Sequence, residues 1–331
     1  MNDGSGNLTV SVIIVSWNAK DYLAKCLDSL AANPGRHALE VIVVDNDSSD
    51  GSPELVQERY PTTRLIRSGA NLGFAKANNI GLAASRGDVL MLVNSDVEVL
   101  PGCIDGLVEH LRSDPSLGMV GPRIIGGDGL LQRSCRSFPT LWNMLCRALG
   151  LDSVLGRYKL FSGYSMRYWS QLDTRHVDIL TGCFWAVTRE AYEDVGGLDE
   201  GFFIYGEDMD WCKRFWLKGR KLTFLSTTQA IHYGGGSSRN APIRFFLEKQ
   251  KADLQYWRKH HSALQAFGYL VISIVHMMLR IVGYSLRQLV GGDVSSYRYK
   301  VRRSIECLKL LSRAVREQIT PRQTADRGGH S

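Results

Sequence analysis

The sequence lacks the features that mark several common classes of protein. Its seven cysteines are scattered and never spaced as C-x-x-C, so neither a disulfide framework nor a zinc site is indicated. No G-x-G-x-x-G follows the first apolar run, and there is no G-x-x-x-x-G-K-[ST] and no G-x-S-x-G. These absences argue against a dinucleotide-binding dehydrogenase, a P-loop NTPase and an α/β-hydrolase. Residues 1–9 are short and polar, unlike a signal peptide, and we expect a cytoplasmic protein.

Acidic residues are scarce in the last part of the chain. From residue 241 to the end there are 16 Lys and Arg against 6 Asp and Glu, or +10, whereas the whole chain carries +7. The first 240 residues are therefore near −3. A basic segment behind a slightly acidic one predicts an anionic partner for the segment, either nucleic acid or the anionic face of a membrane.

Apolar runs and helical patterns alternate over the first part of the chain, and this alternation is typical of an α/β fold. Short runs rich in Val and Ile at residues 10–17 and 40–45 flank a helical repeat of apolar residues. A helix near 53–60, a strand near 64–67, a helix over 74–85 and a strand over 88–93 follow. This order predicts a mostly parallel sheet covered on both faces, which binds ligands at the carboxyl ends of its strands.

The pattern weakens over residues 123–168, which we interpret as loops and short strands that shape a cleft. A strand over 177–187, helices over 189–195 and 207–218, and a strand over 221–226 then follow. We expect a catalytic domain over residues 1–240 and a basic, amphipathic helical region over 241–318. The polar residues 319–331 are predicted to be a disordered tail.

Polar residues end three of the predicted strands, and a sheet can bring them to one edge. Ser16 and Asn18 lie at the end of the first, Asp45 ends the second, and Asn94 and Asp96 follow the fourth. An acid there can accept hydrogen bonds from a base or ribose, and a D-x-D-like pair can reach a cation held by a diphosphate. Turns and helix caps are the alternative role for such residues, and we prefer that role for Asp47, Ser48 and Asp50.

A second group of acids opens the predicted helix at residue 207, after an aromatic run. Acids in a first helical turn interact favourably with the helix dipole, so capping alone could explain Glu207 and Asp208. Phe203 and Tyr205 could instead form a sugar-stacking wall beside a carboxylate shielded from water. Shielding raises the basicity of a carboxylate.

A lone histidine, His232, follows a strand end and precedes the glycines 234–236. A structural role is usual for an isolated histidine. Its place before a Gly-rich loop that could fold over a phosphate makes a role in ligand binding the alternative to that structural role.

These groups, in this order and spacing, resemble the family 2 glycosyltransferases of the GT-A fold, and among them the rhamnosyltransferase-like members. The resemblance extends from Val10 to about Ser238 and rests on VSVIIVSWNAKDYLAKCLDSL, EVIVVDNDSSDGS, NLGFAKANNIGLAASRGDVLMLVNSDVEVLPG and TGCFWAVTREAYEDVGGLDEGFFIYGEDMDWCKRFWLKGRKL, with HYGGGSS after them. It implies an α/β fold with a GT-A-type nucleotide-sugar-binding domain and a C-terminal helical region.

The resemblance also implies a role for each matching residue. Asp208 would be the general base, and Asp96 with His232 would bind Mg²⁺ or Mn²⁺. The nucleotide-sugar donor would be bound by Ser16, Asn18, Asp45, Asn71, Gly73, Asn79, Asn94 and Asp96, with Asp45 at the pyrimidine base. The acceptor would be bound by Trp185, Phe203, Tyr205 and Glu207. Two positions depart from the family pattern: Asn94 replaces the first acid of D-x-D, as in rhamnosyltransferase-like members, and Ala77 replaces a frequent Gly.

An apolar stretch over residues 263–279, flanked by cations, gives the basic segment a second interpretation. A membrane-spanning helix needs about 20 apolar residues, so the stretch suits a helix that lies on an anionic membrane surface. The alternative is a helical hairpin that packs on the catalytic domain or on a second subunit in a homo-oligomer. Nucleic acid is disfavoured as a partner, because the cations flank the apolar stretch and do not alternate with exposed aromatics.

The function that the sequence favours is an inverting glycosyltransferase in cell-envelope polysaccharide synthesis. L-rhamnose would pass from dTDP-rhamnose to a lipid-linked or growing saccharide, on the inner face of the cell membrane. A UDP-hexose or UDP-galactofuranose transferase is the alternative within the class, because thymine and uracil differ by one methyl group. A catalytically silent saccharide-binding subunit is the alternative outside it.

Overall fold

The computed structural model describes residues 7–234, 242–291 and 293–319. The strands are Thr9–Ser16 (β1), Ala38–Asp45 (β2), Arg64–Arg67 (β3), Val89–Asn94 (β4), Val97–Val99 (β5), Leu117–Gly126 (β6), Leu131–Gln132 (β7), Cys135–Arg136 (β8), Arg175–His176 (β9), Ile179–Leu180 (β10), Phe184–Thr188 (β11) and Lys221–His232 (β12). The helices are Lys20–Ala32 (α1), Ser52–Arg59 (α2), Phe74–Ala84 (α3), Cys103–Ser113 (α4), Leu141–Ala148 (α5), Leu151–Val154 (α6), Lys159–Ser162 (α7), Arg189–Val195 (α8), Glu207–Leu217 (α9), Pro242–His260 (α10), Ala263–Val290 (α11) and Val294–Ile319 (α12).

Within the described residues, ten strands form one mixed sheet with the order β3-β2-β1-β4-β11-β6-β12-β5, to which β7 and β9 are attached. The first four strands in this order are parallel, and β11 runs antiparallel between β4 and β6. The predicted α/β class is therefore confirmed. The register pairs Ser16 with Asp45 and Val15 with Asn94. The polar strand ends consequently lie along one edge of the sheet, as predicted.

Helices cover both faces of this sheet, and successive residues of β1 show why. Val12 and Ile14 point to a core that includes residues of α1 and α4, whereas Ile13 points to a core that includes residues of α3 and α9. All three side chains are fully buried. A strand buried on both faces is a continuous apolar run, which is why this part of the fold could be predicted from the sequence.

The C-terminal helices share the core of the sheet's second face. Trp257 of α10 stacks on Tyr269 of α11, with the ring centroids 4.9 Å apart and the planes 6° apart. Residues of α10, α11 and α12 belong to the same apolar cluster as Trp211 of α9. The predicted boundary at residue 240 stays a prediction.

Three predictions about elements need correction. The prediction of a single strand over residues 177–187 is wrong, because two strands lie there. β10 pairs with β8 in a separate two-stranded sheet, and β11 joins the main sheet. Between them the Cys183 amide donates to the Thr181 carbonyl at 2.9 Å, which makes a turn. Residues 123–168 are also not only loops and strands, because α5, α6 and α7 lie there. The last strand is longer than predicted and reaches His232. The glycines 235–236 and residues 320–331 of the predicted tail lie outside the described residues.

Candidate active site

A cavity of about 640 Å³ lies at the carboxyl edge of β1, β2 and β4. The first turn of α9 faces it from one side and the start of α10 from another. Most of the site residues predicted from the sequence line this cavity. Its walls include Trp17, Asn46, Asn71, Gly73, Asn94, Asp96, Gln132, Arg133, Phe203, Tyr205, Glu207, Asp208, His232 and Arg244.

At one end of this edge, two buried oxygen atoms have no hydrogen-bond partner among the described residues. They are Oδ1 of Asp45 and Oγ of Ser16, residues paired in the register of β1 and β2. The other carboxylate oxygen of Asp45 accepts a hydrogen bond from the Ser48 amide at 3.2 Å. Neither residue is among those that line the cavity. Buried polar atoms in proteins are nearly always paired, so these two oxygens are candidates for contact with a ligand.

Asn18 holds the loop that follows Asp45. Its side-chain oxygen accepts a hydrogen bond from the Ser49 amide at 2.8 Å, and its own amide donates to Ser48 Oγ at 3.0 Å. Asn18 has a φ of 49°, in the left-handed region that asparagine tolerates better than most residues. Asp50 accepts from the Lys20 and Ser52 amides, which is the turn-forming role that we preferred for it.

The turn at residues 71–74 closes the same end of the cavity. Asn46 joins it to the sheet edge, because its Nδ2 donates to Asn71 Oδ1 at 3.1 Å and its Oδ1 accepts from the Leu72 amide at 2.9 Å. Gly73 has a φ of +83°, and a Cβ there would lie 2.3 Å from the Phe203 carbonyl oxygen. Glycine is therefore required for this turn to approach the aromatic segment.

Two predicted site residues belong to the scaffold instead. Asn79 donates to the Leu198 carbonyl at 2.9 Å and to Glu200 at 3.0 Å, and it accepts from the Leu198 amide at 2.9 Å. Its side chain is committed to this loop, so the prediction that it contacts the donor is wrong. Trp185 is 1% exposed and donates from Nε1 to the Leu180 carbonyl at 3.0 Å. It packs in the core against Trp211 and cannot contact an acceptor.

Asp96 and His232 meet at the centre of the edge, where β12 and the residues after β4 come together. His232 Nε2 lies 3.3 Å from Asp96 Oδ1. Gln132 orients the imidazole, since its Oε1 lies 2.9 Å from Nδ1 and its Nε2 donates to the His232 carbonyl at 2.7 Å. Gln132 could not be predicted from the sequence, because a lone glutamine on a two-residue strand has no recognisable pattern.

A carboxylate and an imidazole at this distance suit a divalent cation that shares its remaining coordination sites with a ligand. No group of three or more His, Cys, Asp or Glu that could hold a metal ion occurs in residues 7–234, 242–291 or 293–319.

The acids that begin α9 form the opposite wall. Tyr205 and Gly206 precede them with φ of 67° and 86°, and this left-handed pair turns the chain sharply into the helix. Asp208 accepts a hydrogen bond from the Met209 amide at 2.8 Å. Burial raises the pKa of Asp208, and burial together with the Asp208 charge raises that of Glu207. A carboxylate with a raised pKa is a stronger base.

The aromatic residues before α9 lie at the cavity as predicted. Phe203 is 37% exposed, whereas its neighbour Phe202 is 2% exposed and belongs to the core. Tyr205 contacts Phe245 of α10 edge to face, with the centroids 6.4 Å apart. Aromatic faces beside a polar cavity suit the apolar faces of a sugar ring.

Known proteins resemble this chain over the residues that build the cavity. The profile of glycosyl transferase family 2 matches residues 11–196, more than half of the chain. The profile described as the N-terminal domain of galactosyltransferase matches residues 173–234.

Two curated relatives match over most of their length. The N-acetylglucosaminyl-diphospho-decaprenol L-rhamnosyltransferase of Mycobacterium tuberculosis is 30% identical over 265 residues, which are 76% of this chain and 84% of the relative. The rhamnosyltransferase WbbL of Escherichia coli is 27% identical over 260 residues, 75% of this chain and 92% of the relative.

Two solved structures share the fold at low identity. The mannosyltransferase PcManGT of Pyrobaculum calidifontis, in complex with GDP-Man and Mn²⁺, has a TM-score of 0.56 and 16% identity over 96% of this chain and 89% of that one. GalNAc-T7, with UDP, GalNAc and Mn²⁺, has a TM-score of 0.54 and 17% identity over 96% of this chain and 58% of that one. The predicted GT-A-type fold is thereby confirmed. The protein belongs to glycosyl transferase family 2 and is a rhamnosyltransferase-like member of it.

Proposed function

We propose that this enzyme transfers L-rhamnose from dTDP-rhamnose, with inversion, to a lipid-linked or growing saccharide of a cell-envelope polysaccharide. One observation carries the proposal: Asp208, the Asp96–His232 pair and the turn at Gly73 line one cavity. The two relatives that are named rhamnosyltransferases support the choice of sugar, and the name of the mycobacterial one supports a lipid-linked acceptor.

The nucleotide would lie at the edge of β1 and β2. A pyrimidine base such as thymine or uracil carries an N–H donor, and the unpaired Asp45 Oδ1 is an acceptor for it. The Ser16 hydroxyl adds a second polar contact. Asn71 and Gly73 would adjoin the donor from the turn that Asn46 fixes.

Asp96 and His232 would hold Mg²⁺ or Mn²⁺, with Asn94 beside them. The donor set fits, because a carboxylate and an imidazole held by Gln132 leave coordination sites for diphosphate oxygens. The cation supplies charge that neutralises the leaving diphosphate. The protein's own part is to fix the two ligands and thereby the position of the diphosphate.

Asp208 would remove the proton from the acceptor hydroxyl as that oxygen attacks the anomeric carbon. A hydroxyl is a weak nucleophile until a base takes its proton. The bond from the acceptor oxygen forms while the bond to the diphosphate breaks, and the proton ends on Asp208. One displacement of this kind inverts the anomeric configuration. Phe203, Tyr205 and Glu207 would bind the acceptor sugar beside the base.

The same proposal includes the inner face of the cell membrane as the place of action. On its exposed side α11 carries apolar residues at helical spacing, Leu264, Phe267, Val271, Met278, Val282 and Leu286, which are 43% to 80% exposed. By length and composition α11 could cross a membrane. Its other side packs in the core, so we propose a surface helix whose apolar side enters an anionic membrane. Contact with a second subunit is the competing role for the same side.

A donor screen tests the proposed reaction. Purified protein is incubated with dTDP-rhamnose, UDP-glucose, UDP-galactose and UDP-galactofuranose, with Mg²⁺ or Mn²⁺ and then with excess chelator. We expect hydrolysis or transfer with dTDP-rhamnose only, and only with the metal.

Turnover of a UDP-sugar instead would favour the alternative donor. No turnover of any donor, in a protein that still binds saccharide, would favour a catalytically silent binding subunit. Analysis of the product anomer by NMR tests inversion.

A further inference from the structure

A second cavity, of about 120 Å³, lies on the other side of the first turn of α9, between α5, α10 and α11. Met209, the residue after Asp208, contributes to its wall. Its lining is unusual for a small interior space, because cations outnumber acids. The titratable residues in the wall are Arg147, Lys249, Asp253, His276 and Arg280, together with Tyr164 and Tyr269.

The cations of this cavity are incompletely compensated. Lys249 is paired with Asp253 at 2.9 Å. Arg147, which is exposed, and Arg280 have no ion pair with a carboxylate within residues 7–234, 242–291 and 293–316. The same holds for Arg303, which lies over the ring of Phe246. Nε of Arg280 and Nε of Arg303 are buried without a hydrogen-bond partner. Burial, and to a lesser extent the charges of Arg303 and Arg147, lower the pKa of Arg280, so Arg280 is repelled by these two cations.

Aromatic rings hold these guanidinium groups in place. Arg147 lies 5.5 Å from the ring centroid of Tyr164, Arg280 lies 5.3 Å from that of Tyr284, and Arg303 lies 4.4 Å from that of Phe246. A cation–π contact of this kind attracts a guanidinium group to the ring face and leaves its N–H donors available. Fixed planar donors match the oxygens of a phosphate group better than a flexible ammonium does.

We propose that this cavity binds the phosphate group of an amphipathic phosphate ester. A phosphate would pair with Arg147 and Arg280 and remove the repulsion among the cations. The volume admits a group of a few heavy atoms and no more, since about 30 Å³ is the share of one water molecule. The rest of the ligand must therefore lie outside the cavity.

The surroundings favour an apolar chain for that remainder. Ile272 and Met277 of α11 also line the cavity. Leu149, at the end of α5 and two residues after Arg147, is 52% exposed. The proposal deepens the proposed function, because a lipid-linked acceptor carries such a phosphate. It does not require the transfer reaction itself.

Binding to the full-length protein tests the proposal without any nucleotide sugar. Equilibrium dialysis would measure the affinity for inorganic diphosphate and for dodecyl phosphate below its critical micelle concentration. We expect both to bind, and Arg280→Gln and Arg147→Gln each to weaken binding about tenfold, the loss typical of one charge-assisted contact. Arg287→Gln is the matched control, since Arg287 is exposed on the same helix, and it should leave binding unchanged.

The two probes separate the sources of the phosphate. Tighter binding of dodecyl phosphate than of diphosphate supports a lipid-borne group, and equal binding supports a free anion. Binding of neither probe would overturn the proposal, and so would equal losses in Arg280→Gln and Arg287→Gln. Circular dichroism melts confirm that each variant is folded. Because donor turnover is assayed separately on the unmodified protein, failure of this site and failure of the proposed reaction give different results.

Discussion

Nε2 of His260 lies 2.7 Å from Oδ1 of Asp210, a carboxylate that is fully buried in α9. Lys259 approaches the same oxygen at 2.7 Å, and Arg214 bonds the other oxygen at 2.9 Å. These contacts join the end of α10 to α9 two residues after Asp208. The helix that carries the proposed base is thus anchored from the C-terminal region.

We expect Asp210→Asn to destabilise the protein strongly. The substitution removes the negative charge that Arg214 and Lys259 face at this buried position. Breaking a buried ion pair by removing one partner costs roughly 3 to 5 kcal/mol. Asp194→Asn is the control, because Asp194 pairs with Lys218 at the surface and such pairs contribute about 0 to 1 kcal/mol. Urea denaturation of both variants measures the two free energies of unfolding, and equal losses would contradict the anchoring role.

The stabilisation by Asp210 should depend on pH in one direction. Burial by itself raises the pKa of Asp210, but the bonds from His260, Lys259 and Arg214 outweigh it and lower the pKa from 3.8 to about 2. The difference in stability between the unmodified protein and Asp210→Asn should be full above pH 3.8 and shrink as the pH falls toward about 2. Urea titrations at several pH values measure this difference in stability, and a difference that stays constant down to about pH 2 would refute the linkage.

The metal proposal predicts that Asp96→Ala nearly abolishes donor turnover and that excess chelator does the same to the unmodified enzyme. Asp96 is the only carboxylate in contact with His232 among the described residues. Asp21→Ala changes an exposed acid of α1 and should leave turnover as it is. Full activity in chelator would contradict the metal proposal.

Gln132→Ala tests the orientation of His232 separately from ligation. Residues that position a metal ligand typically affect metal affinity about 10-fold to 100-fold. The variant should need that much more Mg²⁺ or Mn²⁺ for half-maximal turnover and recover at saturating metal. A lower kcat that excess metal does not restore would instead place Gln132 in the reaction or the fold.

How far the sequence could predict this site depends on what each element shows locally. Asp45 and Asp96 could be placed because unbroken apolar strands end just before them, and parallel strands end on one edge. Trp185 could not be placed correctly. Both faces of the sheet are covered. The alternation of side chains along β11 therefore does not show whether a given side chain lies in the core or in the cavity. Asn79 was misjudged because its partners, Leu198 and Glu200, are more than 100 residues away along the chain.

The errors over residues 123–188 have similar physical causes. Helices of four to eight residues, such as α5, α6 and α7, make too few turns to show a helical period. The break between β10 and β11 falls at Gly182, where a Cβ would lie 2.6 Å from the Trp185 ring. A glycine inside an apolar run was the available signal for that break. The contacts of His260 and Lys259 with Asp210 are tertiary and had no sequence signal.

The role of Asp45 at the base predicts a change in donor binding more than in rate. Asp45→Ala removes an acceptor whose partner, a pyrimidine N–H, is bound equally in the ground state and the transition state. KM for the donor should therefore rise more than kcat falls. Asp28→Ala, at an exposed acid that pairs with Arg59, serves as the control. An unchanged KM would reject the role at the base.

The apolar side of α11 predicts binding to anionic vesicles. Removal of residues 263–331 is a poor test, because it would uncover Trp257, which stacks on Tyr269. Leu286→Asp is a cleaner change at a residue that is 57% exposed. Burying a leucine stabilises by roughly 1.5 to 3 kcal/mol, so vesicle binding should weaken about tenfold or more.

Leu217→Asp is the matched control for this change, since Leu217 is 62% exposed at the end of α9. It should leave vesicle binding unchanged. Added salt should weaken binding of the unmodified protein, because it screens the attraction between the flanking cations and the anionic lipids. If vesicles are not bound and analytical ultracentrifugation shows a dimer that Leu286→Asp dissociates, the apolar side of α11 is a subunit contact instead.

Asp208→Asn isolates the proposed base from its structural surroundings. The amide keeps the shape of the carboxylate and can still accept from the Met209 amide, but it cannot take a proton. Loss of a general base lowers a rate by about 10² to 10⁴, so kcat should fall by that factor while donor and metal affinity stay nearly normal. In the unmodified enzyme, burial raises the pKa of Asp208 above 3.8, so kcat should rise with pH through a value higher than that of an ordinary aspartate.

A role in helix capping alone predicts a loss of about 1 kcal/mol in stability with catalysis intact. The melting temperature, donor affinity and kcat of the one variant separate these roles. A folded variant with kcat within a few-fold of the unmodified enzyme would transfer the assignment to Glu207, because Asp210 is committed to His260, Lys259 and Arg214.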